Sequence, residues 1–276
     1  MKTIIKKIIY FNSNIFKNIS YNKFKKDFII KDNLIGGGHN NIKINYKDIE
    51  YKFIKIESEH QYILFSDDKN KHECISIIIS KEDKIAEIHG ISNYISCLKK
   101  SNLLELTNTG VGSILLKITL KMLKKYKDKL GINKISLTDN SKKKCSNKNI
   151  VLSQMLFLLT SNTWYGKYGF RPREIFENKL DEQLDKKYQE NQSIINRITI
   201  KESNILNYIL KTNNEKLIKA TTRLLKENEN MLLKTYLSNL IKDYDKTCTI
   251  FYLFYKDLYF DIGLTDFSSK PFILFI

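Results

Sequence analysis

Trp164-Tyr165-Gly166-Lys167-Tyr168-Gly169-Phe170-Arg171-Pro172 is the stretch on which the fold turns, and it stands directly behind a segment that is apolar almost all round. That segment, from about Ile150 to Thr160, predicts a buried helix. Upstream, Ile135 and Leu137 alternate with polar neighbours, which predicts a strand closed by Asp139-Asn140-Ser141. Further back, Gly110-Val111-Gly112-Ser113 opens a run with apolar residues at Val111, Ile114, Leu115, Ile118, Met122, Leu123 and Tyr126. Those spacings describe a helix with one buried stripe, stopping near Gly131. Before the glycines, β-type runs at Lys43–Tyr46, Tyr51–Ile56, Tyr62–Ser66, Cys74–Ser80 and Ile85–Ser92 predict an antiparallel meander. Lys81-Glu82-Asp83-Lys84 is the polar turn of a hairpin within it.

Working outward in the other direction, the pattern is helical from about Asp181, most clearly over Asn204–Leu210, Leu217–Leu225 and Met231–Ile241. Thr247–Ile262 and Pro271–Ile276 are rich in Phe, Tyr and Ile, a composition that favours strands. At the other end, residues 1–35 mix lysine with isoleucine, phenylalanine and asparagine, then run into Gly36-Gly37-Gly38, as an arm followed by a linker would. Ile4, Ile5, Ile8 and Ile9 opposite Lys2, Lys6 and Lys7 suit a membrane surface, a partner groove or a strip packed on the chain's own domain. The expected organisation is a basic N-terminal arm (1–35), an α+β domain (36–176), and a mostly helical C-terminal region (177–276) ending in strands.

The chain has 276 residues, room for one domain plus a substantial appendage, and 42% of them are hydrophobic, which argues against disorder. Its net charge of +17 comes almost wholly from lysine, the arginines being Arg171, Arg173, Arg197 and Arg223. Scattered lysines give a diffuse positive field suited to non-specific polyanion contact, whereas bidentate recognition of bases or phosphates prefers arginine. A dedicated nucleic-acid binder is therefore disfavoured. Cys74, Cys97, Cys145 and Cys248 are widely spaced, with no Cys/His cluster at ligand spacing. Neither a metal site nor a disulfide framework is expected, and an intracellular, cytoplasmic setting follows as the default. The longest apolar stretch, around Met155–Leu159, is roughly half the length of a membrane span, and no signal peptide is expected at the N-terminus.

Two glycines before a helix are a weak signal alone. A strand, a glycine loop and a helix start together offer free N–H groups and the positive end of a helix dipole, a cradle for a pyrophosphate. With the buried helix and Trp164–Pro172 behind it, the segment from about Ile85 to Pro172 resembles the acetyl-CoA-binding core of the GNAT superfamily of N-acetyltransferases. Tyr165 and Gly169-Phe170 match that family's tyrosine and following Gly-Phe. The resemblance implies a mixed, mainly antiparallel sheet flanked by helices, with a helical C-terminal extension. It also implies acetyl-CoA as co-substrate and direct transfer of its acetyl group to an amine.

The roles implied are these. Thr109, Gly110, Val111, Gly112 and Ser113 would cradle the pyrophosphate. His89, Gly90 and Ile91 would offer backbone N–H groups where their strand splays from Ile135–Leu137, Gly90 permitting a bulge. Tyr165 would protonate the departing thiolate, or else be an aromatic plug in the core. Glu87, with His89 second, would serve as general base; an ordinary strand residue is the other reading of each. Thr107 stands where the family usually has Gln or Arg. The helices that commonly follow the family's first strand are not evident between Tyr46 and Tyr51. An acceptor groove without that cover suits a protein amine better than a small metabolite. The alternative is a catalytically inactive GNAT-like interaction or structural module. Composition and the C-terminal extension also resemble acetyltransferase-like proteins of large DNA viruses.

Overall fold

The structure, a computed structural model, describes residues 28–31, 40–46, 49–57, 61–66, 73–92, 97 and 111–276. The glycine linker at 36–38, the Ile/Lys strip at 2–9, and Lys99, Lys100, Thr107, Thr109 and Gly110 lie outside those residues. The architecture is α+β, a mixed and mostly antiparallel sheet flanked by helices. Two compact units are present, Met1–Ser76 with Gly90–Lys125, and Ile77–His89 with Tyr126–Ile276.

In the first unit β1 (Phe28–Lys31), β2 (Asn40–Tyr46), β3 (Ile49–Glu57) and β4 (Gln61–Ser66) pair antiparallel in chain order. Part of the expected arm is thus a strand, because Phe28-Ile29-Ile30-Lys31 finds partners in Lys43–Tyr46. Strands β5 (Glu73–Ser80) and β6 (Ile85–Ile91) and helix α1 (Val111–Leu130) are divided between the units. Helix α1 buries Val111, Leu115, Leu116, Ile118, Met122 and Leu123, the stripe its sequence spacing predicts. It ends at Gly131, whose φ of 67° an L side chain rarely adopts.

The second unit contains the turn end of the β5–β6 hairpin, at Lys81–Lys84, fastened by Ser80 Oγ donating to Asp83 (2.9 Å). Strand β6 runs parallel to β7 (Lys134–Thr138), in register from Ile85↔Lys134 to Ile88↔Leu137. The C-terminal strand β11 (Pro271–Phe275) inserts antiparallel between β7 and the short β10 (Arg171–Pro172). Lys142–Cys145 (β8) and Lys148–Val151 (β9) make a separate hairpin ahead of helix α2 (Leu152–Thr160). Helices α3 (Glu182–Arg197), α4 (Ile205–Leu210), α5 (Glu215–Glu227), α6 (Leu233–Leu240), α7 (Tyr244–Tyr252) and α8 (Tyr255–Asp261) follow. Asp181 and Asn214 cap α3 and α5 by accepting from Leu184 N (2.9 Å) and Leu217 N (3.0 Å).

Two expectations are corrected here. Thr247–Ile262 is helical, because its buried residues Cys248, Phe251, Phe254, Tyr255, Leu258 and Tyr259 recur at helical spacing. That periodicity outweighs the strand preference of aromatic side chains. The cysteines are paired, Cys74 with Cys97 and Cys145 with Cys248, at Cα separations of 5.5 and 5.7 Å. Sequence separations of 23 and 103 residues conceal both pairs until the chain is folded.

The core of the second unit is aromatic. Phe157 of α2 lies 4.9 Å from Tyr188 and 5.6 Å from Phe267, ring centre to ring centre. Tyr188 in turn meets Phe272 of β11 edge-on at 6.2 Å. No helix among the described residues is long and apolar enough to cross a membrane.

Candidate active site

Between α2 and β10 the chain makes a tight turn whose glycines are there for space and for conformation. A Cβ on Gly166 would run into the Tyr188 hydroxyl and the Asn162 side chain, and Gly169 takes a φ of 93°. Thr163 N donates to Tyr188 Oη (3.2 Å), which itself donates to Asn162. Arg171 lies over the same ring at 5.3 Å and pairs with Asp185 of α3 at 3.0 Å. Helix α3 therefore holds the turn that presents Tyr165.

Tyr165 is 9% exposed, between Trp164 (4.7 Å) and Phe170 (6.1 Å). Its hydroxyl makes no hydrogen bond among the described residues. Burial, and then the nearby charge of Asp139, push its pKa well above that of an ordinary phenol. The proton stays on oxygen at neutral pH.

Residues paired across β6 and β7 share a face of the sheet, so Glu87, opposite Ser136, is its neighbour. Glu87 is half-buried, while His89, two residues on, is exposed. Strand β6 continues through His89, Gly90 and Ile91 after its last β7 partner, Ile88, whereas β7 ends at Thr138. Gly90 has a negative φ and space for a Cβ, whose nearest neighbour would be Glu73 Oε1 at 3.7 Å. The bulge expected at Gly90 is thus not needed to account for the glycine. In the other unit, Val111, Gly112 and Ser113 form the first turn of α1, Val111 buried and the other two half-buried. First-turn N–H groups have no partner within their own helix.

Asp139 is the residue that sequence reasoning missed. It follows the last residue of β7 and is 1% exposed, with Oδ1 accepting from Ser141 N (3.1 Å) and from the Ser141 hydroxyl. Its other oxygen, Oδ2, is buried without a hydrogen-bond partner. Burial pushes its pKa up to about 6; the Ser141 hydrogen bonds oppose the shift and Asp266 adds to it. Ser136 Oγ, at the centre of β7, and Ser153 Oγ and Gln154 Oε1, in the first turn of α2, are likewise buried and unpartnered. Leu152 N donates to Ser141 O (3.0 Å), tying that turn to the one holding Asp139. No side chain caps α2, whose N-cap is Val151. The sequence signal for Asp139 was its place just past the carboxyl end of a strand, where α/β sheets collect their ligands.

Cys145, which follows Lys142, Lys143 and Lys144 in the sequence, is 2% exposed and bonded to Cys248, so it offers no reactive thiol. Among the described residues no group of His, Cys, Asp and Glu could hold a metal ion. No known protein family, curated protein or solved structure matches the chain.

Proposed function

We propose that this chain is an acetyl-CoA-dependent N-acyltransferase of the GNAT kind, moving an acetyl group directly to an amine, preferably one borne by a protein. The observation that carries the reading is the parallel pair β6/β7. The two strands are joined in sequence by α1, and pairing stops at Ile88↔Leu137 while β6 runs on through Ile91. Where β6 outruns β7, its N–H groups turned to that side have no β7 residue to pair with, which suits an oxyanion. Insertion of β11 between β7 and β10 and the free hydroxyl of Tyr165 add support.

Roles are assigned unit by unit. In one, the N–H groups of Val111, Gly112 and Ser113, with Thr109 and Gly110 before them, receive the pyrophosphate. In the other, Tyr165 gives its proton to the leaving thiolate, and His89 contributes strand N–H together with Gly90 and Ile91 beyond it. Glu87 remains a candidate base. The second reading, a GNAT-like interaction module without chemistry, is favoured by Thr107, which removes a donor the family usually supplies.

Calorimetric titration with acetyl-CoA tests the cofactor site. Micromolar binding, abolished in Gly112→Glu, is expected; a folded protein that binds none sinks the enzyme reading and leaves the module. Tyr165→Phe is expected to lower turnover by about 10²-fold or more while leaving acetyl-CoA binding within about twofold. An intracellular setting belongs to this proposal, and the paired cysteines weigh against a reducing one. Alkylating the protein in cells before lysis, then counting free thiols, decides: four would restore the reducing setting, none would remove it.

A further inference from the structure

We propose that Asp139, at the carboxyl end of β7, takes the proton from the acceptor's ammonium group and so acts in the same reaction step as Tyr165. This rests on the acetyltransferase reading and deepens it, because it makes the acceptor a primary amine that arrives charged. The geometry carries the argument. Asp139 is buried, Oδ1 is held by the Ser141 turn, and Oδ2 is left without a donor. A buried carboxylate oxygen lacking a partner is costly to keep, and a protonated amine supplies the missing donor and the opposite charge together.

The groups facing Asp139 leave it the fitting proton acceptor. Asp266, before β11, raises its proton affinity and is itself held by Ser268 N (2.9 Å) and Ser268 Oγ (2.7 Å). Tyr165 and Tyr188, which both feel its charge, stay neutral, and Arg171 lies over the ring of Tyr188. Burial brings the carboxyl to about 6, so it is ionised at neutral pH yet more basic than an exposed aspartate.

The protons balance. The ammonium gives one proton to Asp139 Oδ2, and the freed nitrogen lone pair forms the N–C bond to the thioester carbonyl. The C–S bond then breaks, and its electron pair leaves on sulfur, which takes the Tyr165 proton. The second N–H proton re-protonates Tyr165, and Asp139 releases its proton to water. The Asp139 charge is one of the two causes holding Tyr165 above an ordinary phenol. Protonating Asp139 removes that cause, so Tyr165 becomes a stronger acid when the thiolate departs.

The test uses the full chain, acetyl-CoA and a pool of short peptides with free N-termini and lysines, following CoA release from pH 5 to 9. The wild type is expected to show a kcat/KM limb that rises through about pH 6. Asp139→Asn should lower kcat by about 10²-fold or more with KM little changed, and the limb should vanish. Asp139→Glu should restore part of the rate and bring back a displaced limb, which a merely structural role would not do. An active wild type whose folded Asp139→Asn variant keeps its rate within threefold and the same limb overturns the role of Asp139 and leaves the acetyltransferase reading intact. A folded wild type that releases no CoA overturns that reading, and the role falls with it.

Discussion

Asn191 of α3 and Asp139 after β7 are both 1% exposed and lie in the same unit, yet they are treated in opposite ways. The Asn191 amide donates to Thr265 O (2.8 Å) and Tyr259 Oη (3.3 Å), and its oxygen accepts from Thr265 N (3.0 Å). Around it Tyr259 Oη also donates to Thr265 O (2.6 Å), and every partner has a partner. Asp139 Oδ2, by contrast, is buried and unmatched, as are Ser136 Oγ on β7 and Ser153 Oγ and Gln154 Oε1 in the first turn of α2. Polar groups that complete one another fix a fold; buried ones left incomplete weaken it and are retained where a ligand completes them. The first region is scaffold, and the second is the candidate site.

The hardest test of that contrast is to remove the covalent tie. Cys145, in the hairpin that follows the Asp139 turn, is bonded to Cys248 of α7 across 103 residues, against 23 for Cys74–Cys97. Loop-closure entropy gives about 4–5 kcal/mol for the longer loop and about 3 for the shorter. Urea unfolding of Cys145→Ser/Cys248→Ser and of Cys74→Ser/Cys97→Ser should keep that order. A reversed order would mean that the hairpin is held by its packing.

Asn191→Leu should cost about 3 kcal/mol by the same measurement, since it strands Thr265 N and removes one of the two donors to Thr265 O, leaving it Tyr259 alone. A loss below about 1 kcal/mol would remove the scaffold half of the comparison.

Asp139→Asn should act in the opposite direction. The folded carboxyl titrates near 6, above the ordinary 3.8, so folding disfavours its ionised form. Its contribution to stability is whole below about pH 4 and is lost as pH rises through about 6, a swing of about 3 kcal/mol. The variant, which cannot ionise there, should match the wild type at pH 4 and exceed it by as much as about 3 kcal/mol at pH 8. Melts at the two pH values check this. A variant less stable at pH 8 would make Asp139 a structural group. A gain in stability with loss of turnover is the behaviour of a strained functional site.

The smallest effect concerns the helix ends. Asn214→Ala should cost about 1 kcal/mol through loss of its bond to Leu217 N. Val151→Asp should give α2 the cap it lacks and gain a few tenths of a kcal/mol, unless the charge beside Asp139 cancels it.

Much of the architecture was written locally. The strands from Lys43 to Ser92, helix α1 with its stop at Gly131, and the starts of α3 and α5 follow from period, turn residues and caps. The candidate site was legible only where a motif marked it. Tyr165 stood in a recognisable string, whereas Asp139 looked like the polar residue that ends a strand. Residues 247–262 misled because aromatic content and helical spacing disagreed, and only packing on both neighbours decides between them.

By itself, then, the sequence determined which segments are strands and helices wherever a period of two or of 3.6 was unopposed, because those periods act between near neighbours. Four features belong to the tertiary structure alone. They are the parallel pairing of β6 with β7, the insertion of β11 beside β7, the two cysteine pairs, and the burial of Asp139 with one oxygen unmatched. Each depends on residues far apart in the chain coming within a few ångströms, and on water being excluded where they meet. No local pattern encodes that.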